Sequence, residues 1–221
     1  MARGLIMDVG GPKDRRAPAQ CRWRYGKSNP ADTQCIGRTH PGMVSTMFGL
    51  LRRRSPHRDT ADRLYAAIAA QARQPALFAE LGVPDTVDGR FDVLALHAWM
   101  VIDRVRVEPD GEAIAQALFD SMFAHLDVAV REMGAQDLGV GRRIKVMAEG
   151  LHGRALAFRT AMADADPAAL QDALRRNIFG KTAPDAAAVA RLAAYVRAGV
   201  AGLAALEPAR LHDGALAWPA V

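Results

Sequence analysis

At 221 residues, half of them hydrophobic and only 6% aromatic, the chain is long enough for one or two domains with a sizeable core; this excludes a disordered protein and favours helices built from Ala and Leu. The formal net charge of +5 sits in one place: residues 1–42 carry eight Lys/Arg against three Asp/Glu, and the rest of the chain carries 21 of each. The body therefore has no global field to draw in nucleic acid, and any affinity for polyanions has to come from a local patch.

The first segment, MARGLIMDVGGPKDRRAPAQCRWRYGKSNPADTQCIGRTHPG, is rich in Gly, Pro and Arg and follows neither a helical nor a strand period, so it is expected to be a disordered extension. Its apolar run, LIM, is too short for a secretory signal, and its glycines and prolines would break a presequence helix. Cys21 and Cys35 both lie here; their spacing permits a disulfide but marks no metal site. Met43 then opens MVSTMFGLLRRR, which reads like the beginning of a protein. Residues 1–42 are accordingly expected to reflect a translation start assigned too early, with a genuine tail as the alternative. Within residues 43–58, Phe48, Leu51, Arg52, Arg53 and Arg54 form a short basic amphipathic element suited to contact with a membrane surface, a solvated tail being the other reading. The body beyond it has no cysteine and no apolar run of about 18 residues, which points to a soluble protein of a reducing compartment.

From residue 59 to 210 the periodicity is helical throughout. Asp59 is placed to cap TADRLYAAIAAQARQ, which puts Leu64, Tyr65, Ile68 and Ala72 on one face. Pro75 suits the first position of a short helix, PALFAELG, closed by Gly82, and VPDTVDGR supplies turn chemistry after it. Residues 91–107 are apolar on nearly every side and are expected at the centre of a bundle; too few residues separate Asp92 from Asp103 for a membrane span. From Glu112 to Met133, a stripe of Ile114, Leu118, Phe119, Met122, Phe123, Leu126 and Val130 predicts a strong amphipathic helix ended by Gly134. Ile144, Met147, Leu151 and Phe158 are the candidate core positions of the next helix, from Val140 to about Met162. Asp166 and Pro167 restart the chain as cap and first turn of PAALQDALRRNIFG. Pro184 begins a last long helix carrying Val189, Leu192, Val196, Val200 and Leu203. With no alternating strand pattern, the fold expected is an all-α, single-domain bundle of six or seven helices.

DLGVGRRIKVMAEGLHGR, from Asp137 to Arg154, has the composition of a phosphate-binding loop but neither the glycine spacing nor the preceding strand that such a loop needs. The expectation is a tight turn in which Gly139 and Gly141 take positive backbone angles, followed by a helix whose first turn is basic. Arg142, Arg143 and Lys145 oppose the helix dipole there, so something negative is expected to meet them. Gly150 and Gly153 would cost up to about 1 kcal/mol each relative to Ala within a helix, which close approach of a neighbouring helix would justify. Arg154 is a candidate internal partner for Asp127 or Asp92.

Catalytic patterns are sparse. His97 sits in an apolar helix and reads as a hydrogen-bonded core group, while His125 and His152 show no HExxH or i,i+4 histidine spacing. Ser45, Ser55 and Ser121 lack a GxSxG context. The competing reading is a helical enzyme or small-molecule-binding protein built on an apolar pocket near His97.

Four stretches together resemble the ubiquinol–cytochrome c chaperone family: LYAAIAAQARQPALFAELGVPDTVDGRFDVLALH from Leu64, LFDSMFAHLD from Leu118, REMGAQDLGVGRRIKVMAEGLHGRA from Arg131, and RNIFG from Arg176. The resemblance implies an all-α assembly factor of the cytochrome bc complex without catalytic activity or cofactor, which binds newly synthesised cytochrome b. By the same resemblance it would act with a small helical partner protein and in contact with the ribosome near the tunnel exit, while the basic element at residues 43–58 would add peripheral contact with the inner membrane from the cytoplasm. Two places depart from the family pattern: Leu151 and His152 stand where an aromatic pair is usual, and HLD replaces an acidic-Met-Asp triplet at residues 125–127. Candidate client or partner contacts are Arg90, Arg142, Arg143, Lys145, Met147 and Arg154, with Met100, Met122, Met133 and Met147 available either to line a client groove or to fill the core.

Overall fold

The apolar stripes turn inward in the computed structural model, which describes residues 56–133, 137–180 and 182–221. Eight α-helices follow one another: α1 Pro56–Ala72, α2 Pro75–Ala79, α3 Val87–Val105, α4 Gly111–Glu132, α5 Asp137–Ala163, α6 Ala168–Leu174, α7 Ala186–Ala204 and α8 Pro208–His212. A π-helical turn, Arg175–Phe179, continues α6. No strand occurs among the described residues, so the all-α bundle is as expected. The eighth helix, α8, is a five-residue turn beyond the last apolar stripe.

Because α3 is apolar on nearly every side through its middle, that part can satisfy itself only by being surrounded. It packs against α1, α4, α5, α7 and the π turn, and its Leu96, Ala98, Val101 and Val105 are completely buried. Around it close Leu64 and Ile68 of α1, Leu118 and Met122 of α4, Phe158 of α5, Leu170 and Leu174 of α6, and Leu192 of α7. By length and composition α4 and α7 would also reach across a bilayer. Both lend buried stripes to this core, which accounts for their hydropathy.

Local chemistry sets the boundaries. Pro56 opens α1, so Asp59 lies in its first turn and complements the dipole there. Thr86 is extended and its hydroxyl accepts from the Gly89 amide at 3.1 Å, making it the true cap of α3 where turn chemistry alone was expected. Gly82 closes the α2 region at φ +69°, as anticipated. Between α3 and α4 the chain turns so tightly that a Cβ on Gly111 would lie 2.1 Å from the Val105 carbonyl oxygen. The Asp166 carboxylate accepts from the Ala168 amide at 2.8 Å ahead of α6.

The main correction falls on α5. Gly139 and Gly141, expected in a turn with positive φ, lie inside the helix, which starts at Asp137 rather than Val140. The positive-φ glycines among the described residues are Gly82, Gly180 and Gly214. Glycine permits a left-handed turn without demanding one, and at Gly139 and Gly141 its effect is a weaker helix propensity. Gly134, expected to end α4, lies outside the described residues.

Candidate functional site

Where α1, α3, α4 and α5 meet at the surface they leave an open groove of about 370 Å³, floored by Ala69, Phe91, Leu94, Leu126, Val130 and Met147. A second hollow of about 570 Å³ adjoins it along α1 and α4 and shares Tyr65, Ala69, Arg73 and His125 as a common wall. The Tyr65 and His125 rings stack in that wall with centroids 4.5 Å apart. Beyond them the second hollow is more polar: Ser121 donates to Asp62 at 2.7 Å, and Arg58 stands at its edge. An apolar floor thus runs beneath a rim carrying Arg58, Arg73 and Arg90.

Two of the residues proposed from sequence, Arg90 and Met147, meet in this groove. Arg90 is held at its edge by an ion pair to Asp85 at 2.6 Å and by the face of Phe78, 5.3 Å from the guanidinium carbon. Of the four methionines considered, Met100 and Met122 fill the core, whereas Met133 is 53% exposed and Met147 partly so, both lining the groove. Exposed, flexible thioethers of this kind adapt to irregular apolar partners.

Arg154 has a different job from the rest of its stretch. Its Nη2 lies 2.5 Å from Asp92 Oδ1, its guanidinium carbon sits 5.6 Å from the centre of the Phe91 ring, and its Nε reaches towards the Asn177 carbonyl in the π turn. It therefore ties α5 to α3 beneath the groove. Of the two carboxylates offered for it, Asp92 is the partner; Asp127 pairs within α4 with Arg131 at 2.7 Å. Burial pushes the Asp92 carboxyl up to about 6 despite the opposing pull of Arg154, so it is ionised at neutral pH. Gly150 serves this clamp, since a Cβ there would lie 2.7 Å from Arg154 Nη1. Among the described residues no other helix comes within 4 Å of a Cβ placed at Gly150 or Gly153, contrary to expectation, and Gly153 meets nothing there at all.

Arg142, Arg143 and Lys145 stay exposed on the first half of α5 and do not line the groove. Lys145 makes a loose pair with Glu149 at 3.9 Å. Nothing negative among the described residues meets Arg142 or Arg143. Phe48, Leu51, Arg52, Arg53 and Arg54, together with Cys21, Cys35 and Met43, lie outside the described residues.

His97 is buried completely and lines neither hollow. Its Nδ1 donates to the Val93 carbonyl at 2.8 Å, so its Nε2 accepts from the Tyr195 hydroxyl at 2.7 Å, which in turn accepts from Gln71 Nε2 at 2.9 Å. Burial holds the imidazole down at about 4, hence neutral, and pushes the Tyr195 phenol up to about 12. With both ring nitrogens engaged it is the core group that its apolar helix suggested. Among the described residues no three His, Cys, Asp or Glu side chains are grouped to hold a metal.

Sequence reasoning did not single out Tyr65, Arg73, Phe91, Leu94 and His125 as groove residues. The available signal was the edge of each amphipathic stripe, where apolar side chains of α1, α3 and α4 border polar ones. Of the two departures from the family pattern, Leu151 is buried and His152 faces outward beside Phe119, ring centroids 5.5 Å apart.

Comparison with known proteins adds an independent line. Over residues 79–218 the chain matches the family model described as Ubiquinol-cytochrome C chaperone. It is 25% identical over 144 residues to the Drosophila melanogaster Ubiquinol-cytochrome c reductase complex assembly factor 1, a match that spans 62% of this chain but only 55% of the relative. With the Xenopus laevis protein of the same description it shares 25% identity over 146 residues, 66% of this chain and 72% of the relative. Its fold superposes on the crystal structure of the Cbp3 homolog from Brucella abortus with a TM-score of 0.66 and 34% identity, covering 77% of this chain and 95% of that one. The chain belongs to the ubiquinol–cytochrome c chaperone family.

Proposed function

We propose that this protein is a noncatalytic assembly factor of the ubiquinol–cytochrome c reductase complex that holds newly made cytochrome b in the groove between α1, α3, α4 and α5. The observation that carries the reading is the groove itself: an apolar floor with exposed thioethers and an arginine rim, on a protein whose relatives are described as assembly factors of that complex. A membrane-protein client leaves the ribosome with apolar helices that aggregate in water. An amphipathic groove covers one face of such a helix, and rim arginines pair with its acidic flanks or with lipid phosphate.

Arg142, Arg143 and Lys145 form a separate local patch for an anionic surface, either the ribosome near its tunnel exit or the inner-membrane headgroups. In this reading the protein works from the cytoplasm and touches the membrane only peripherally, through the basic segment that includes Phe48, Leu51 and Arg52–Arg54. A small helical partner protein is part of the same proposal. The rival reading, an enzyme or small-molecule binder centred on His97, loses its key residue, because that imidazole is sealed in the core with both nitrogens in hydrogen bonds.

Deletion of the gene tests the reading, with difference spectra of membrane haem b and reductase activity as readouts. Both signals are expected to fall, to return with the wild-type chain or with His97→Gln, and to stay low with Met147→Glu although that variant folds. Unchanged haem b in the deletion strain contradicts it.

A further inference from the structure

Beyond α8, residues 214–221 form a strap without regular secondary structure that packs against α3 and α7 and lines neither hollow. The turn into it is set by Gly214, at φ +72° and so close to Arg63 that a Cβ would lie 2.9 Å from its carbonyl oxygen. Leu216, Trp218 and Val221 then rest on the core. The slot they occupy lies between α3 and α7. Trp218 stands edge-on to His97, centroids 4.9 Å apart.

Two glycines of α7 shape the slot for a backbone. A Cβ on Gly202 would lie 3.4 Å from the Ala217 carbonyl oxygen, and one on Gly199 would lie 3.3 Å from Met100 Sδ and 3.8 Å from Pro219 Cδ. The segment lies on the surface: Leu216, Trp218, Pro219 and Val221 are half-buried, and Ala215, Ala217 and Ala220 are exposed. Ala215 and Leu216 still donate backbone hydrogen bonds within the turn, but residues 217–221 make no hydrogen bond to other described residues, and the buried Trp218 Nε1 has no partner among them. Here shape and one aromatic ring do the holding.

We propose that the α3–α7 slot is a binding site for an extended apolar peptide carrying an aromatic side chain, and that residues 214–221 are its resident occupant, displaceable by a similar segment of another protein. The indole nitrogen, unpaired in the slot, favours release, because it regains a water partner once the strap leaves. The site is separate from the groove, so it stands whether or not the groove holds cytochrome b.

The test uses a shortened chain ending at Asp213 and a fluorescein-labelled peptide GALAWPAV, followed by anisotropy. The shortened chain is expected to keep its helical circular dichroism and to bind the peptide saturably. The full chain should bind it roughly tenfold more weakly or worse, because its own strap competes. Replacing the peptide's tryptophan with alanine, or introducing Gly202→Val into the shortened chain, should each lower affinity by about tenfold. Equal binding by full and shortened chains overturns the proposal, as does a folded shortened chain that does not bind. Loss of the fold on shortening also overturns it, since the strap would then be a core element rather than a ligand.

Discussion

The two halves of α5 carry the same kind of residue to opposite ends. Arg142 and Arg143, near its start, face solvent without a partner among the described residues, whereas Arg154 and Arg159 reach across to α3, at 2.5 Å from Asp92 and 2.6 Å from Asp103. What separates them is the neighbour. The second half packs against a helix whose apolar run is bracketed by two carboxylates, and each takes one arginine; among the described residues no carboxylate of a facing helix pairs with Arg142 or Arg143, and the first half holds only the loose Lys145–Glu149 pair within α5. Charge on a helix becomes structure where a facing helix supplies its counter-charge in a partly dry place, and remains available for binding where it does not.

The largest effect that sharpens this contrast comes from Asp92→Ala, which leaves Arg154 half-buried with no counter-charge. We expect a loss of about 2–3 kcal/mol in urea unfolding, the low end for a buried pair because both groups keep some exposure. A loss under about 0.5 kcal/mol would place Arg154 with the free arginines.

Acid titration separates the same pair from the rest of the core. Asp92 protonates in the folded state near 6, above its ordinary 3.8, so between those values the folded protein binds more protons and its contribution to stability grows as pH falls. His97 works the other way. Its folded value near 4 lies below the ordinary 6.5, so its contribution is complete above about 6.5 and is lost as pH falls towards 4. The two slopes oppose each other between pH 4 and 6. Asp92→Asn should therefore steepen the acid loss of stability and His97→Gln should reverse it, measured as unfolding midpoints across that range. Parallel shifts without a change of slope would contradict the assignment.

The glycines of α5 give a finer test. Gly153→Ala, in open space, should stabilise by up to about 1 kcal/mol, whereas Gly150→Ala should give no gain, because the new methyl displaces the Arg154 guanidinium. Thermal unfolding of the two variants decides this. Arg159→Ala should cost about 0.5–1 kcal/mol, since that pair is about half-exposed on the arginine side. Smallest of all, the double change Arg142→Ala and Arg143→Ala should leave stability within about 0.5 kcal/mol while weakening sedimentation with ribosomes or anionic vesicles at low salt. Unchanged sedimentation would remove the patch from the account.

Long-period features were legible in the sequence and single-residue geometry was not. The α4 stripe from Ile114 to Val130 and the all-round apolarity of α3 place those helices correctly, because burial has to follow the period of 3.6 residues. Thr86 was hidden as a cap because the residue three positions on is Gly89 rather than Glu or Gln, so no capping box marks it. Gly139 and Gly141 misled because composition alone cannot tell a glycine that must turn from one that merely can. The strap after α8 follows no period at all, and its contacts with Gly199, Gly202 and His97 appear only in the folded chain. In the site, Arg90 and Met147 were found by type, but the groove joins stripe edges on four elements, and no single stretch of chain displays that.

The most direct measurement of the central claim is site-specific photo-crosslinking to newly made cytochrome b. A photoreactive amino acid at Met133 or Met147, in the groove, is compared with one at Val107, which is 77% exposed and outside it. Adducts to radiolabelled cytochrome b from the groove positions but not from Val107 are the predicted result. Absence of adducts at the groove, or equal yields at all three positions, would contradict the account.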